Sequence, residues 1–226
     1  MKHRMVRKHR TPRNSRSVRK PFAALAAVLA VAATLSTTPA FASAVPVSAT
    51  GATTLTLGGK AYNTLQNSGC GLLVATAANG VTVTTVTKGL KLILPISGLQ
   101  VQPDTGAIRL DHSGSVTLEN NCYAITLGTF RITDFGSPDM LTAFDLSAVT
   151  KSADDSGRQV IGSLDMSTAN VTITDTKVRV AQMVLNTSAE GAEELNELAV
   201  GGDGTTGPFA AGQKIGSAKT RVVLHF

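Results

Sequence analysis

Two histidines, His112 and His225, are the only imidazoles beyond the first nine residues. Nucleophilic catalysis would set one of them beside a Ser and a carboxylate, yet the chain has no Gly-x-Ser-x-Gly elbow or comparable local mark. Glycoside cleavage asks for two carboxylates across a groove with aromatic platforms. There is no Trp in the chain, and its acids fall mostly in turns. Asp154-Asp155 and Asp203 lack the alternating acids and closing Glu of a calcium loop, so they read as solvated turn residues. Asn170-Val-Thr172 and Asn186-Thr-Ser188 fit the acceptor pattern for N-glycosylation, a pattern that matches often by chance. The reactive residue types therefore point away from an enzyme.

Cys70 and Cys122 are the only thiols. With no Cys-x-x-Cys and no adjacent His, they read as a structural disulfide rather than a redox pair or a metal site. Closing a loop of that length contributes up to ~4 kcal/mol. Such a bond persists in an oxidising compartment outside the cytosol.

The amino terminus agrees with export. Residues 1–20 hold nine basic side chains and no acid, an apolar run follows from Pro21 to Thr34, and Ala40-Phe41-Ala42 supplies small residues for cleavage. This is the pattern of a signal peptide over residues 1–42. The apolar run is too short for a spanning helix, which needs about 20 apolar residues, and no later stretch comes closer. The whole chain carries +6. From residue 43 onward, however, twelve basic side chains face all 15 acids, a net of −3. Spread along the sequence as they are, these cations give no footprint for phosphates, and nucleic acid is set aside as a partner.

The rest of the chain must form elements that position Tyr62, His112 and the two thiols. Residues 43–52 are small and turn-rich, which predicts an exposed leader. From Thr53 to Phe226 the pattern predicts one domain. Residues 81–87, 124–133, 170–174, 177–185 and 218–224 alternate branched apolar residues with Thr, the signature of half-buried strands. Residues 90–96 contain Pro95, which cannot donate to a ladder and so predicts an edge or strand-end position. Turn signals recur at short intervals, among them Asn79-Gly80, Pro103-Asp104-Thr105-Gly106, Gly136-Ser137-Pro138-Asp139 and Asp154-Asp155-Ser156-Gly157. About ten short strands so connected predict an all-β antiparallel sandwich or barrel. Two windows read as helical, 58–68 and 188–200, the second with Ser188 or Thr187 as N-cap. A final Phe resembles the end of an outer-membrane barrel, but seven Phe and two Tyr are too few for aromatic girdles.

One stretch, Thr105-Gly-Ala-Ile-Arg-Leu-Asp-His-Ser-Gly-Ser-Val-Thr-Leu118, resembles the strand, Gly-His-x-Gly-like turn and strand of HtaA-type domains secreted by actinobacteria, with Asp111 where those domains have Gly. The strand and helix at 55–65, Leu94-Pro-Ile-Ser-Gly98 and the order of elements after Ile125 are similar too. The resemblance covers most of residues 53–224. It implies a β-sandwich with two short helices and, in haem-binding members, a Tyr on the first helix that ligates the iron while the turn His supports it. Tyr62 is then the iron ligand and His112 its partner. A phenolate is a hard ligand suited to ferric iron, and a hydrogen bond to its oxygen tunes its basicity.

The sequence thus predicts an exported, non-enzymatic β-sandwich acting as a binding module outside the cell or on its envelope. Haem is the cofactor that the resemblance implies. The alternative is a structural or adhesion protein of the envelope whose Thr-rich sheet faces contact proteins or glycans.

Overall fold

A computed structural model describes residues 44–87, 89–102, 108–133, 143–151 and 156–226. Residues 1–42, read from the sequence as a signal peptide, and residues 103–107, 136–139 and 154–155, where the sequence predicts turns, lie outside the described residues. The strands are β1 (Val45–Val47), β2 (Ala49–Gly58), β3 (Val74–Ala78), β4 (Thr82–Val86), β5 (Gly89–Val101), β6 (Ile108–His112), β7 (Ser115–Glu119), β8 (Ala124–Thr133), β9 (Ala143–Lys151), β10 (Ser156–Asp165), β11 (Asn170–Thr174), β12 (Lys177–Thr187) and β13 (Lys214–Leu224). The helices are α1 (Gly59–Gln66), between β2 and β3, and α2 (Ala189–Val200), between β12 and β13. Residues 45–52, read from the sequence as a leader, instead form β1 and the start of β2.

The sandwich is replaced by a closed barrel. Antiparallel pairing runs β5-β2-β13-β12-β10-β9-β8, and β6 bonds to both β8 and β5, which closes a ring of eight strands. The other five strands add to the outside of this ring: β1 and β4 on β5, β7 on β8, β3 on β7 and β11 on β12. Closure needs strong local curvature, which β-bulges supply. Register shifts lie at Ile96/Gly98, Gly128/Arg131, Val160/Gly162 and Val180/Met183. Thr129 and Gln182, two of the three non-glycine residues with positive φ, sit within them.

Pro95 shows how a proline enters a central strand. One side of β5 pairs with β4 as far as Ile93, and pairing with β6 begins at Ile96. Pro95 falls in that handover, where no ladder asks for its missing N–H. Its carbonyl still accepts from the Ser113 N–H at 3.0 Å.

The inward residues of the barrel are mostly Leu, Ile, Val and Phe, as a barrel of this size requires for a filled interior. Leu94, Ile125, Leu146 and Leu164 are all within 2% of full burial. Outward positions of β12 and β13 carry Lys, Arg, Gln and Ser, the reverse of a barrel that faces lipid. No described helix is long and apolar enough to cross a membrane.

Both helices sit close to their predicted windows. The Ser188 hydroxyl accepts from Gly191 N–H at 2.9 Å and caps α2, with Glu190 in the first turn favouring the helix dipole. Gly191 has to be glycine, since a Cβ there would stand 1.9 Å from the Ile161 carbonyl oxygen of β10. α1 has eight residues, no side-chain cap and no acid in its first turn. Too short to persist alone, it is held by burial of Ala61 and Leu65 and by the Cys70–Cys122 disulfide just beyond it. That bond ties the end of α1 to the β7–β8 turn and closes a separation of 52 residues.

Candidate functional site

His112 ends β6 with its side chain inside the barrel, 2% exposed. Its Nδ1 lies 3.2 Å from the Phe130 carbonyl oxygen, which only accepts, so Nδ1 carries the proton. Nε2 is then the acceptor for the Thr53 hydroxyl at 2.8 Å. Thr53 stands directly opposite Thr220 in the β2–β13 register, and their hydroxyls are 2.9 Å apart. The Thr53 hydroxyl donates to His112, so its oxygen accepts from Thr220. The three residues form one buried chain running Thr220 to Thr53 to His112 to the Phe130 carbonyl. Burial pushes the His112 pKa down to about 4, against the opposing pull of the Phe130 carbonyl and Asp111. The ring is neutral at physiological pH. At 2% exposure it is sealed from bulk solvent.

Asp111 points the other way, to the outer surface. Arg109 Nε reaches its carboxylate at 2.9 Å and Arg131 Nε at 2.7 Å. Burial alone would raise this carboxyl, but the Arg131 and Arg109 hydrogen bonds and charges outweigh it and hold the pKa below the ordinary value. A carboxylate here pins β6 to β8, a role that Gly at the same position would not fill.

Tyr62 lies on α1, half-buried against the core. Its phenol oxygen accepts from Gln66 Nε2 at 2.9 Å, and the same amide donates to the Leu73 carbonyl at 3.0 Å. The sequence reading paired Tyr62 with His112. In the structure they do not bond: both ring nitrogens of His112 are engaged within the barrel, and the donor to Tyr62 is Gln66. Gln66 was missed, although four residues after Tyr62 on a predicted helix it is a natural neighbour. Leu72 and Val74, on either side of Leu73, are 73% and 51% exposed, among the most exposed large apolar side chains described.

Tyr123, beside the disulfide, is partly buried and donates its hydroxyl to Glu194 of α2 at 3.2 Å. An apolar pocket of about 100 Å³, partly open to solvent, lies between the strands and α2, among Leu55, Phe130, Leu185, Leu195 and Leu198. This is well below the several hundred Å³ typical of a cofactor pocket. Among the described residues, no group of three or more His, Cys, Asp or Glu is placed to hold a metal ion.

No family model matches the chain, and no curated protein matches it by sequence. Three solved structures from Corynebacterium glutamicum are similar. The C-terminal domain of HtaA shares 15% identity with a TM-score of 0.57, covering 81% of this chain and all of that domain. A domain-swapped dimer of a histidine-to-alanine variant of the same domain gives 15% and 0.50, over 72% of this chain and 87% of its own. The haem-binding protein HtaB gives 12% and 0.49, over 81% and 96%. At such identities the similarity is one of backbone, and it spans the full HtaA domain: the chain has the HtaA-type fold.

Proposed function

We propose that the chain is a non-enzymatic binding module that works outside the cell, with ferric haem as its ligand and Tyr62 as the iron ligand. The observation that carries this reading is the arrangement at the end of α1. A half-buried phenol receives an amide hydrogen bond on its oxygen, beside a segment that exposes Leu72 and Val74. That amide donor fixes the direction in which the phenol oxygen points. Exposed apolar side chains next to it suit one face of a flat macrocycle. Gln66 takes the supporting position that the resemblance assigns to His112, while His112 stabilises the barrel below it. The pocket of about 100 Å³ against α2 is too small for a macrocycle, so the ligand rests on the outside of the α1 end. Tyr62 would hold the iron through its oxygen, Gln66 would orient the phenol, and Leu72 and Val74 would give the macrocycle an apolar rest.

Hemin titrated into protein beginning at Ser43 tests this. A saturable 1:1 absorbance change with a tyrosinate-type ferric spectrum is expected. Tyr62→Phe should abolish that spectrum and Gln66→Ala should weaken binding severalfold. No saturable change, or one that survives Tyr62→Phe, would overturn the reading.

A further inference from the structure

A second feature, independent of Tyr62, lies on the outer face of β12, β13 and β2. The register places Arg179 directly opposite Arg221, Arg221 beside Ala52, and Lys219 beside Thr54. Lys177 continues the row on β12 opposite Val223. Arg179, Lys219, Arg221 and Lys177 are all exposed, and none makes an ion pair among the described residues. Like charges directly opposite one another destabilise a ladder. On this face the neighbours of the two arginines are Ala52 and Thr172, which neutralise nothing.

Three of these cations, Arg179, Lys219 and Arg221, line a groove of about 560 Å³ whose lining, which includes Gly51, Thr54 and Val223, contains no carboxylate. Gly51 keeps part of its floor bare. Its φ is +132°, and a Cβ there would stand 2.0 Å from the Arg221 carbonyl oxygen, so the β2 backbone presses against β13 with no side chain between them. Sequence order had scattered these charges over positions 177 to 221. Pairing of β12 with β13 gathers four of the twelve cations that follow residue 42 onto one face, in a segment whose net charge is −3.

We infer that this groove docks a flexible phosphate polymer of the cell exterior. Charge complementarity requires an anion. The extended form follows from the spacing: Lys219 and Arg221 are two residues apart on one strand, about 7 Å, comparable to successive phosphates along an extended phosphodiester chain. A bilayer surface is too flat to follow a concavity. A nucleic acid would gain from aromatic side chains on which its bases could stack, and the groove lining has none.

The test uses protein beginning at Ser43, which contains every strand of the barrel, and long-chain inorganic polyphosphate as the probe. Parallel arms use inorganic phosphate, an oligo-thymidine single strand and phosphatidylglycerol vesicles. Saturable binding to polyphosphate is expected, with log affinity against log salt falling at a slope of about −2, since three phosphates neutralised on a single strand give roughly 0.7 each. The triple variant Arg179→Ser, Lys219→Ser, Arg221→Ser should bind at least tenfold more weakly and lose most of that slope. Its thermal midpoint should be no lower than that of the parent, because the substitutions relieve repulsion. Arg158→Ser, away from this face, should leave binding unchanged. Absence of binding, undiminished binding by the triple variant, or tighter binding of phosphate, oligonucleotide or vesicles than of polyphosphate would each overturn the proposal.

Discussion

His112 and Tyr62 are the two side chains whose types suggest chemistry, and the fold treats them in opposite ways. His112 is sealed in the barrel with both nitrogens satisfied by Thr53 and the Phe130 carbonyl. Tyr62 sits half-buried on a short helix outside the strand ring, its oxygen accepting from Gln66. Burial turns a versatile titratable ring into a fixed hydrogen-bonding strut. Partial exposure leaves the phenol side chain in contact with solvent. The contrast shows that depth, set by long-range strand pairing, decides whether a polar residue is structural or functional.

The largest effect expected from breaking this contrast is on the His112 side. His112→Ala removes a buried ring, opens a cavity and leaves the Thr53 hydroxyl and the Phe130 carbonyl without their partner. Together these should cost about 4 kcal/mol. Urea unfolding at pH 7.5, where His112 is neutral in the folded and unfolded chain alike, measures that loss free of any protonation effect. A loss below about 1 kcal/mol would mean that the buried chain of hydroxyls contributes little.

Acid should reproduce most of the same loss without a mutation. The folded-state pKa of His112 is about 4, against an ordinary value of 6.5. Above 6.5 neither state binds the proton and the difference costs nothing. As pH falls from 6.5 towards 4, the unfolded chain takes up a proton that the folded chain refuses, so stability declines, by about 3 kcal/mol in total. Asp111 adds to the loss only lower down, because its depressed pKa contributes stability above the ordinary carboxylate range that disappears below it. The stability of His112→Ala, followed by chemical denaturation across pH 7 to 4, should lack the His112 component of this slope. An equal slope in the variant would place the titration elsewhere.

Much of this contrast could be read from local sequence, and the remainder could not, for a single physical reason. Strands with alternating Thr and apolar residues, such as β8 and β11, match their predicted spans, because period two is a property of neighbouring residues. The same holds for the Ser188 cap, and the absence of competing thiols made the disulfide legible. Closure of the barrel depends on β6 finding both β5 and β8, and no local pattern specifies two partners for a five-residue strand. Thr53 resembles its neighbours Thr54 and Thr56 until register sets it opposite Thr220 and beneath His112. The row of cations on β12 and β13 likewise exists only once those strands pair. Pro95 misled for the converse reason: its local rule holds, but the handover from β4 to β6 meets it inside a central strand.

The smallest stability effect belongs to Tyr62, and its smallness is what sharpens the comparison. Tyr62→Phe keeps the ring against the core and removes only an oxygen that accepts one part-buried hydrogen bond from Gln66. Gln66 retains its bond to the Leu73 carbonyl, so no buried donor is left without any partner. The expected loss is below about 1 kcal/mol, the range of a single net hydrogen bond, measured in the same urea experiment as His112→Ala. A residue worth so little to folding, yet needed for the tyrosinate spectrum with hemin, is one whose oxygen serves a ligand rather than the fold. Were Tyr62→Phe to destabilise as much as His112→Ala, the phenol would be a second strut, and the division between sealed interior and available surface would fail at the residue on which it depends most.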